Sequence, residues 1–380
     1  MTTATGHPGL TPTGPGDPSS RVVQVSDELR LHAAARLVAD QGGAGGDPLE
    51  AARRFLDSAG MLGMDLSLMW ATVEPSGGNI RQVCLAVTGA GRTVMLFLSG
   101  PQRRHRAWSP GRLRQGWSAG ADAQDHQDRV TLLRHACRAV ADSAGARLAQ
   151  SLLEVREREA IAAFRDAGFT QLGDLAYLRR ALPRSWGEGD AAPSWSAGVR
   201  VESVADLRAR GASEAEVDAA IEAALERSYE QTQDCPELCG LREVSDVLES
   251  HRSVGVHDPA LWWIVFDGDR AEGCVLLSPC PEHDSVELVY LGLSPRMRGR
   301  SLGAALLRFG VANLYRHTIR GADSAGVPDE TARVSIGGTG GVTCAVDTRN
   351  APAMRLYKRA GFQRFGLRIP MVRGLGPDRG

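Results

Sequence analysis

The chain has 380 residues, 43% of them hydrophobic and 23% charged, with a net charge of −1. That length exceeds one ordinary core and predicts two domains, and the charge balance gives no electrostatic reason to expect nucleic acid or a membrane surface as partner. No run reaches the ~18 consecutive apolar residues of a membrane span, and the seven cysteines (84, 137, 235, 239, 274, 280, 344) are too sparse and odd in number for a disulfide framework.

In chain order, residues 1–20 are rich in Pro, Gly, Thr and Ser, with neither a basic start nor an apolar run. They read as a disordered tail rather than a signal peptide, and a soluble, cytoplasmic protein is expected. Helical periodicity marks 28–39 and 48–59; strand-like runs follow at 66–74, 80–89 and 92–100, the last two joined by a short Gly-containing turn that predicts a hairpin. The basic loop 101–117 interleaves Arg with two Trp, as single-stranded nucleic acid binding would need. The acidic run "ADAQDHQD" beside it argues against that use. A helix at 129–144, a strand at 148–154 and a helix at 157–167 complete a first half, 21–183. The aperiodic "PRSWGEGDAAPSW" places a linker at 184–198. The second half, 199–380, predicts helices at 213–228 and 243–252, a hairpin at 261–269/271–279, a strand at 285–295, a helix at 302–317, a strand at 342–348 and a helix at 351–360. The segment 321–341 reads as an insertion, long for a helix-to-strand connection.

Shifted by 193 residues, "EREAIAAFRDAGF" (157–169) overlays "NAPAMRLYKRAGF" (350–362). Each is a helix, then Ala-Gly-Phe, then a strand-like run, preceded by an apolar strand, a helix and a hairpin. Two copies of one domain are expected.

Between the strand 285–295 and the helix at 302 lies "SPRMRGRSLGAALL". A helix start offers unpaired N–H groups and a positive dipole end, and Gly299, Ser301, Gly303 and Ala304 would let phosphate oxygens come close. Arg296, Arg298 and Arg300 add charge; a solvated basic loop is the plainer alternative. The stretch "VELVYLGLSPRMRGRSLGAALL" resembles the acyl-CoA-binding signature of the GNAT N-acetyltransferase superfamily, Arg/Gln-x-x-Gly-x-Gly/Ala. Arg298, Ser301 and Gly303 fall on its marked positions, with Ser301 in place of the first Gly. "VDTRNAPAMRLYKRAGFQRFG" (346–366) resembles the same family's last strand and helix.

The resemblance implies an α/β (α+β) fold of two tandem GNAT-like acyltransferase domains, each a mixed, mostly antiparallel sheet flanked by helices. Acetyl-CoA would be the co-substrate, an amine on a small molecule or peptide the acceptor, and no metal is expected. It assigns the pyrophosphate to the backbone of Arg298, Gly299, Arg300, Ser301, Leu302, Gly303 and Ala304, with Asn350 alongside, and the pantetheine arm and acyl carbonyl to the backbone at Leu291 and Leu293. Acetyl transfer needs a neutral amine, a stabilised oxyanion and a protonated leaving thiolate. By resemblance Tyr357 is the acid and Glu287 the base. Strict alternation would put Glu287, Val289, Leu291 and Leu293 on one strand face.

The acceptor side is expected from 220–260, where Glu230 and Asp234 would suit a cationic amine. Cys235, Cys239, His251 and His257 raise a zinc site, but their spacing lacks the usual close pairing. In the first half Phe164, Glu157 and Thr93 stand where Tyr357, Asn350 and Glu287 stand in the second, so that half is expected to be non-catalytic. The rival reading is a non-catalytic acyl-CoA-binding or protein-interaction module. The acceptor and the oligomeric state are left open.

Overall fold

The computed structural model describes residues 21–39, 47–74, 79–101, 119–182, 195–323 and 340–376. The tail at 1–20, nearly all of the 101–117 loop, most of the 184–198 linker and most of the 321–341 insertion lie outside them.

The elements in chain order are β1 (Arg21–Gln24), α1 (Asp27–Val38), α2 (Pro48–Met61), β2 (Met69–Val73), β3 (Ile80–Gly89), β4 (Thr93–Leu98), α3 (Ala119–Ala144), β5 (Leu148–Leu153), α4 (Arg158–Asp166), β6 (Thr170–Gln171) and β7 (Leu175–Ala181). They continue with β8 (Val199–Ser203), α5 (Val204–Ala209), α6 (Glu214–Tyr229), α7 (Val244–Arg252), β9 (Trp262–Asp267), β10 (Arg270–Cys280), β11 (Ser285–Leu293), α8 (Leu302–Asp323), β12 (Gly341–Asp347), α9 (Ala351–Arg359) and β13 (Gln363–Gly374). The order β2-β3-β4-α3-β5-α4-β7 recurs as β9-β10-β11-α8-β12-α9-β13, which is the internal repeat. The fold is mixed α/β, a mostly antiparallel sheet flanked by helices.

Contacts group the chain into two compact units: Met1–Val87 with Leu96–Arg138, and Thr88–Met95 with Ala139–Gly380. In the first, β1, β2 and β3 pair antiparallel. Val25, Leu37, Met69, Val83 and Leu85 form a core, and Ala34, Val38 and Ala52 close α1 on α2. The acidic run 121–128 is helical, since α3 begins at Ala119, ten residues before the helix expected at 129. Asp125 and Asp128 are buried: Asp128 pairs with Arg81 at 2.5 Å and Asp125 accepts from Gln82. Buried acids are stable only when paired like this.

The second unit carries the repeat's last strands in exchanged positions. β5 pairs parallel with Thr93–Met95 of β4, and its other edge takes β13, from the second half of the sequence. β12 in turn takes β7, from the first half, in register from Gly341↔Ala181 to Asp347↔Leu175. β13 and β7 then pair with each other. This exchange is why the contacts do not divide at 184–198. From β12 the sheet runs on through β11, β10, β9 and β8. One face packs α8 and α9 through Leu288, Leu306, Val342, Cys344, Val346 and Tyr357. The other packs α6 and α7 through Ile221, Leu225, Leu248, Ile264 and Leu276. α6 starts in a reciprocal capping box, Ser213 with Glu216. No helix among the described residues is long and apolar enough to cross a membrane.

Candidate active site

β11 and β12 are parallel neighbours only at Ser285↔Gly341, Val286↔Val342 and Glu287↔Thr343. Beyond that point each keeps its outer partner, β10 or β7, and the two strands diverge. Over 288–293 the edge of β11 that faces away from β10 has no strand partner among the described residues, leaving a wedge with free backbone groups along its side.

Opposite β10, β11 holds one extra residue: Leu276 pairs Tyr290 and Leu277 pairs Leu288, so Val289 is bulged. A bulge flips the alternation of everything after it. Leu288, Leu291 and Leu293 therefore belong to the α8/α9 face, while Val289 and Tyr290 pack with the α6 side. Strict alternation, which grouped Glu287 with Leu291 and Leu293, fails at this residue. Gly292 is required by Tyr290, whose ring occupies the space a side chain there would need. The Tyr290 hydroxyl thereby reaches Ser228 Oγ at 2.7 Å, with His251 stacked on its ring and Tyr229 edge-on. Burial, with Arg242 nearby, pushes the His251 imidazole down to about 4.

Glu287 lies half-buried at the point of the wedge and accepts a hydrogen bond from the Thr343 hydroxyl. Burial raises its pKa above the ordinary carboxylate value, and the Thr343 bond pulls it partly back. Tyr357 sits in the α8/α9 core beside Phe362, ring centroids 5.3 Å apart. Burial pushes its pKa well above the ordinary phenol value, with Cys344, Asp234 and Glu287 adding to the effect. The phenol is thus held protonated at neutral pH.

The loop 295–303 leads from β11 to α8. Gly299 and Ser301 both have positive φ, +77° and +59°. Ser301 therefore adopts the left-handed conformation of the glycine it replaces, contrary to the negative φ expected for a serine. Its carbonyl accepts the first helical bond, from Ala305 N at 3.1 Å. A methyl group at Gly303 would meet only Leu356, at 3.9 Å, so the backbone of the first turn is open to a ligand. Left-handed serine costs about 1–2 kcal/mol, partly offset by its lower freedom in the unfolded chain. Ser301→Gly is expected to match or exceed the wild-type stability, whereas β-branched Ser301→Val should lose about 1–2 kcal/mol. Chemical denaturation measures both; equal stability for all three would mean that the turn relaxes.

Three expected site side chains are engaged by the fold. Arg298 donates to the carbonyls of Leu293, Gln231 and Ser228 at 2.9, 3.1 and 2.8 Å, so its guanidinium fastens the loop to β11 and α6. Asn350 caps α9, its side-chain oxygen accepting from Ala353 N at 3.2 Å, and it also bonds Asp234. Asp234, exposed at the surface, accepts from Asp347 N at 2.8 Å through its carboxylate. Arg300 is exposed and makes no ion pair among the described residues, whereas Arg296 pairs with Glu272 and Asp267. Glu230 is exposed at the C-terminus of α6. The cysteines and histidines raised as zinc ligands go separate ways. Cys235 packs with Leu148 and Leu172, Cys239 is exposed, His251 stacks on Tyr290, and His257 meets Trp262 edge-on. Sequence reasoning missed Thr343 and the bulged Val289, for neither carries a motif.

In the first-half copy of this arrangement, Phe164 meets Phe169 edge-on at 4.9 Å, as Tyr357 meets Phe362. The hydroxyl is the difference.

Residues 219–321, from α6 into α8, match the Acetyltransferase (GNAT) family model. Solved structures similar to the chain include a GCN5-related N-acetyltransferase from Sphaerobacter thermophilus, 18% identical, covering 95% of this chain and 97% of that one with a TM-score of 0.46. A tandem GNAT protein from the clavulanic acid biosynthesis pathway is 14% identical, with 94% and 99% covered and a TM-score of 0.44. A GCN5-related N-acetyltransferase from Anabaena variabilis is 12% identical, with 94% and 73% covered and a TM-score of 0.41. No curated protein matches.

Proposed function

We propose that residues 199–380 act as an N-acetyltransferase, moving an acetyl group from acetyl-CoA to an amine of a small molecule or peptide by direct attack in a ternary complex. The observation that carries this is the parting of β11 from β12 just past Glu287 and Thr343, with an open helix start at the far end of β11. An extended thioester arm fits such a wedge, with the pyrophosphate on the N–H groups of 298–304 and Arg300 beside it. The β11 backbone near Leu291 and Leu293 meets the arm. Glu287 takes the proton from the incoming amine, and Tyr357, from the other face of the sheet, gives one to the leaving sulfur.

The test is acetyl-CoA titration by calorimetry, followed by amine-dependent release of CoA over an acceptor panel. Absence of binding at millimolar ligand would sink the reading. Glu287 must be ionised to accept a proton, so kcat/KM should fall as the pH drops through its raised pKa. Thr343→Val removes the bond that lowers that pKa, and the acidic limb should move to higher pH; Glu287→Gln should abolish the limb. A limb unmoved in both variants would assign the base elsewhere.

A further inference from the structure

β12 divides its side chains between two faces. Val342, Cys344 and Val346 pack in the α8/α9 core, so Thr343, Ala345 and Asp347 belong to the opposite face. That is the face on which Glu287 meets Thr343. There α6 and α7 cover the sheet through Ile264, Leu276, Val289 and Tyr290, residues of β9, β10 and β11. The cover stops short of β12: Ala345 is exposed although its strand lies inside the sheet. Past it the loop after α6 closes over the strand end. Asp347 has no exposed surface, accepts from Cys235 N and donates its own N–H to Asp234.

The strand exchange supplies the remaining side of this gap. Ala345 pairs with Tyr177 of β7, a first-half residue, and Tyr177 pairs with Gly366 of β13. Its neighbours Ala176 and Leu178 pack in the α8/α9 core, which puts Tyr177 on the face of Glu287. Phe365, the extra residue of a bulge opposite Tyr177, lies edge-on to that ring at 6.2 Å and is 63% exposed. Burial raises the Tyr177 pKa, Arg368 lowers it and Glu287 raises it again, so the half-buried phenol stands in the Glu287 field. By strand spacing, the Tyr177 backbone lies about 10 Å across the sheet and about 7 Å along it from Glu287. An amine joined to one ring by a short chain spans that gap.

We propose that the acceptor is a primary amine carrying an aromatic ring, which lies on Ala345 against the Tyr177–Phe365 pair while the nitrogen meets Glu287. The proposal rests on the N-acetyltransferase reading and gives it a substrate class. It also makes Tyr177 a specificity-determining residue lent to the second half by the first. An open apolar floor beside an ionisable group has the make-up of a small-molecule site, and the ring pair already presents the edge and face that a third ring packs on.

The experiment uses the full chain saturated with acetyl-CoA and compares CoA release with 2-phenylethylamine and with ethylamine. The aromatic amine should be favoured about 10–100-fold in kcat/KM, as burial of one ring implies. Phe365→Ala and Tyr177→Ala should bring that preference toward one, whereas Tyr177→Phe, which keeps the ring, should retain it. Ala345→Trp fills the floor at an exposed position. It should cost 2-phenylethylamine at least tenfold in kcat/KM, with acetyl-CoA affinity and the urea midpoint unchanged. The proposal is overturned if neither amine releases CoA, if ethylamine matches 2-phenylethylamine, or if the preference survives both Phe365→Ala and Ala345→Trp. A fall in acetyl-CoA affinity in Ala345→Trp also overturns it, by assigning the floor to the thioester arm. Absence of acetyl-CoA binding by the wild type is a different result and overturns the parent reading instead.

Discussion

Tyr357→Phe should lower turnover by about 10²–10⁴-fold, the range of a lost general acid, with acetyl-CoA affinity and folding stability close to wild type. Both controls follow from where the ring sits. The Tyr357 hydroxyl has no hydrogen-bond partner among the described residues, so its removal strands no buried donor or acceptor. The ring keeps its volume and its edge contact with Phe362. The molecule already contains the substitution at the equivalent place, where Phe164 is fully buried against Phe169. A phenylalanine is therefore known to pack between such a helix and strand. What it cannot do is protonate a thiolate, the role proposed for Tyr357, whose phenol burial holds protonated. Steady-state CoA release and calorimetry separate chemistry from binding. Unchanged turnover would remove Tyr357 from the mechanism, and a parallel loss of stability would make it a core residue alone.

That comparison could be drawn from sequence because helix-Ala-Gly-Phe-strand recurs with its order intact, and order is what periodicity reports. Pairing partners are another matter. β7 and β13 each follow the matching helix, and nothing in their residues says that β7 lies on β12 and β13 on β5, since backbone hydrogen bonds carry no residue code. The bulge at Val289 was hidden for a related reason: "VELVYLGL" is apolar on both faces, so an extra residue leaves no break in alternation. At 298, 301 and 350 the motif gives residue types but not what each side chain bonds. Arg298 and Asn350 bond the fold, and Ser301 takes a backbone conformation that its side chain disfavours. In the run 121–128, Asp125 and Asp128 are buried against Gln82 and Arg81. Composition alone assigns acids to the surface, and only a partner distant in sequence reverses that.

Asp347→Ala is expected to destabilise the second unit by about 1–3 kcal/mol, the cost of leaving hydrogen-bond donors at a buried site without their acceptor. Asp347 ends β12 with no exposed surface. Its carboxylate accepts from Arg349 N and Cys235 N at 2.8 and 3.2 Å and from the Arg349 side chain at 2.7 Å. Its own N–H donates to Asp234. Arg349 passes on to Glu237, joining the end of β12 to the loop after α6. The next N–H, of Thr348, donates to Asp174 O at 2.9 Å, which ties the exchanged strand β7 to the same point. Gly173 completes the arrangement by lacking a side chain, because a methyl there would collide with the Asp347 carboxylate and with Arg349. Gly173→Ala should thus be destabilising too, and less than additive with Asp347→Ala, since both disturb one set of contacts. Burial alone would raise the Asp347 pKa; the bonds from Arg349 and Cys235 outweigh it and hold the carboxyl below its ordinary value. The resulting stabilisation is present above the ordinary carboxylate range and lost as the pH falls through the lowered pKa. Asp347→Asn should retain part of the hydrogen bonding and lose that acid dependence. Urea denaturation of the three single variants and the double variant, at neutral and acidic pH, measures each term. A loss below about 1 kcal/mol for Asp347→Ala would place its bond to Arg349 at the level of a surface ion pair and leave the hold on β7 to the strand pairing itself.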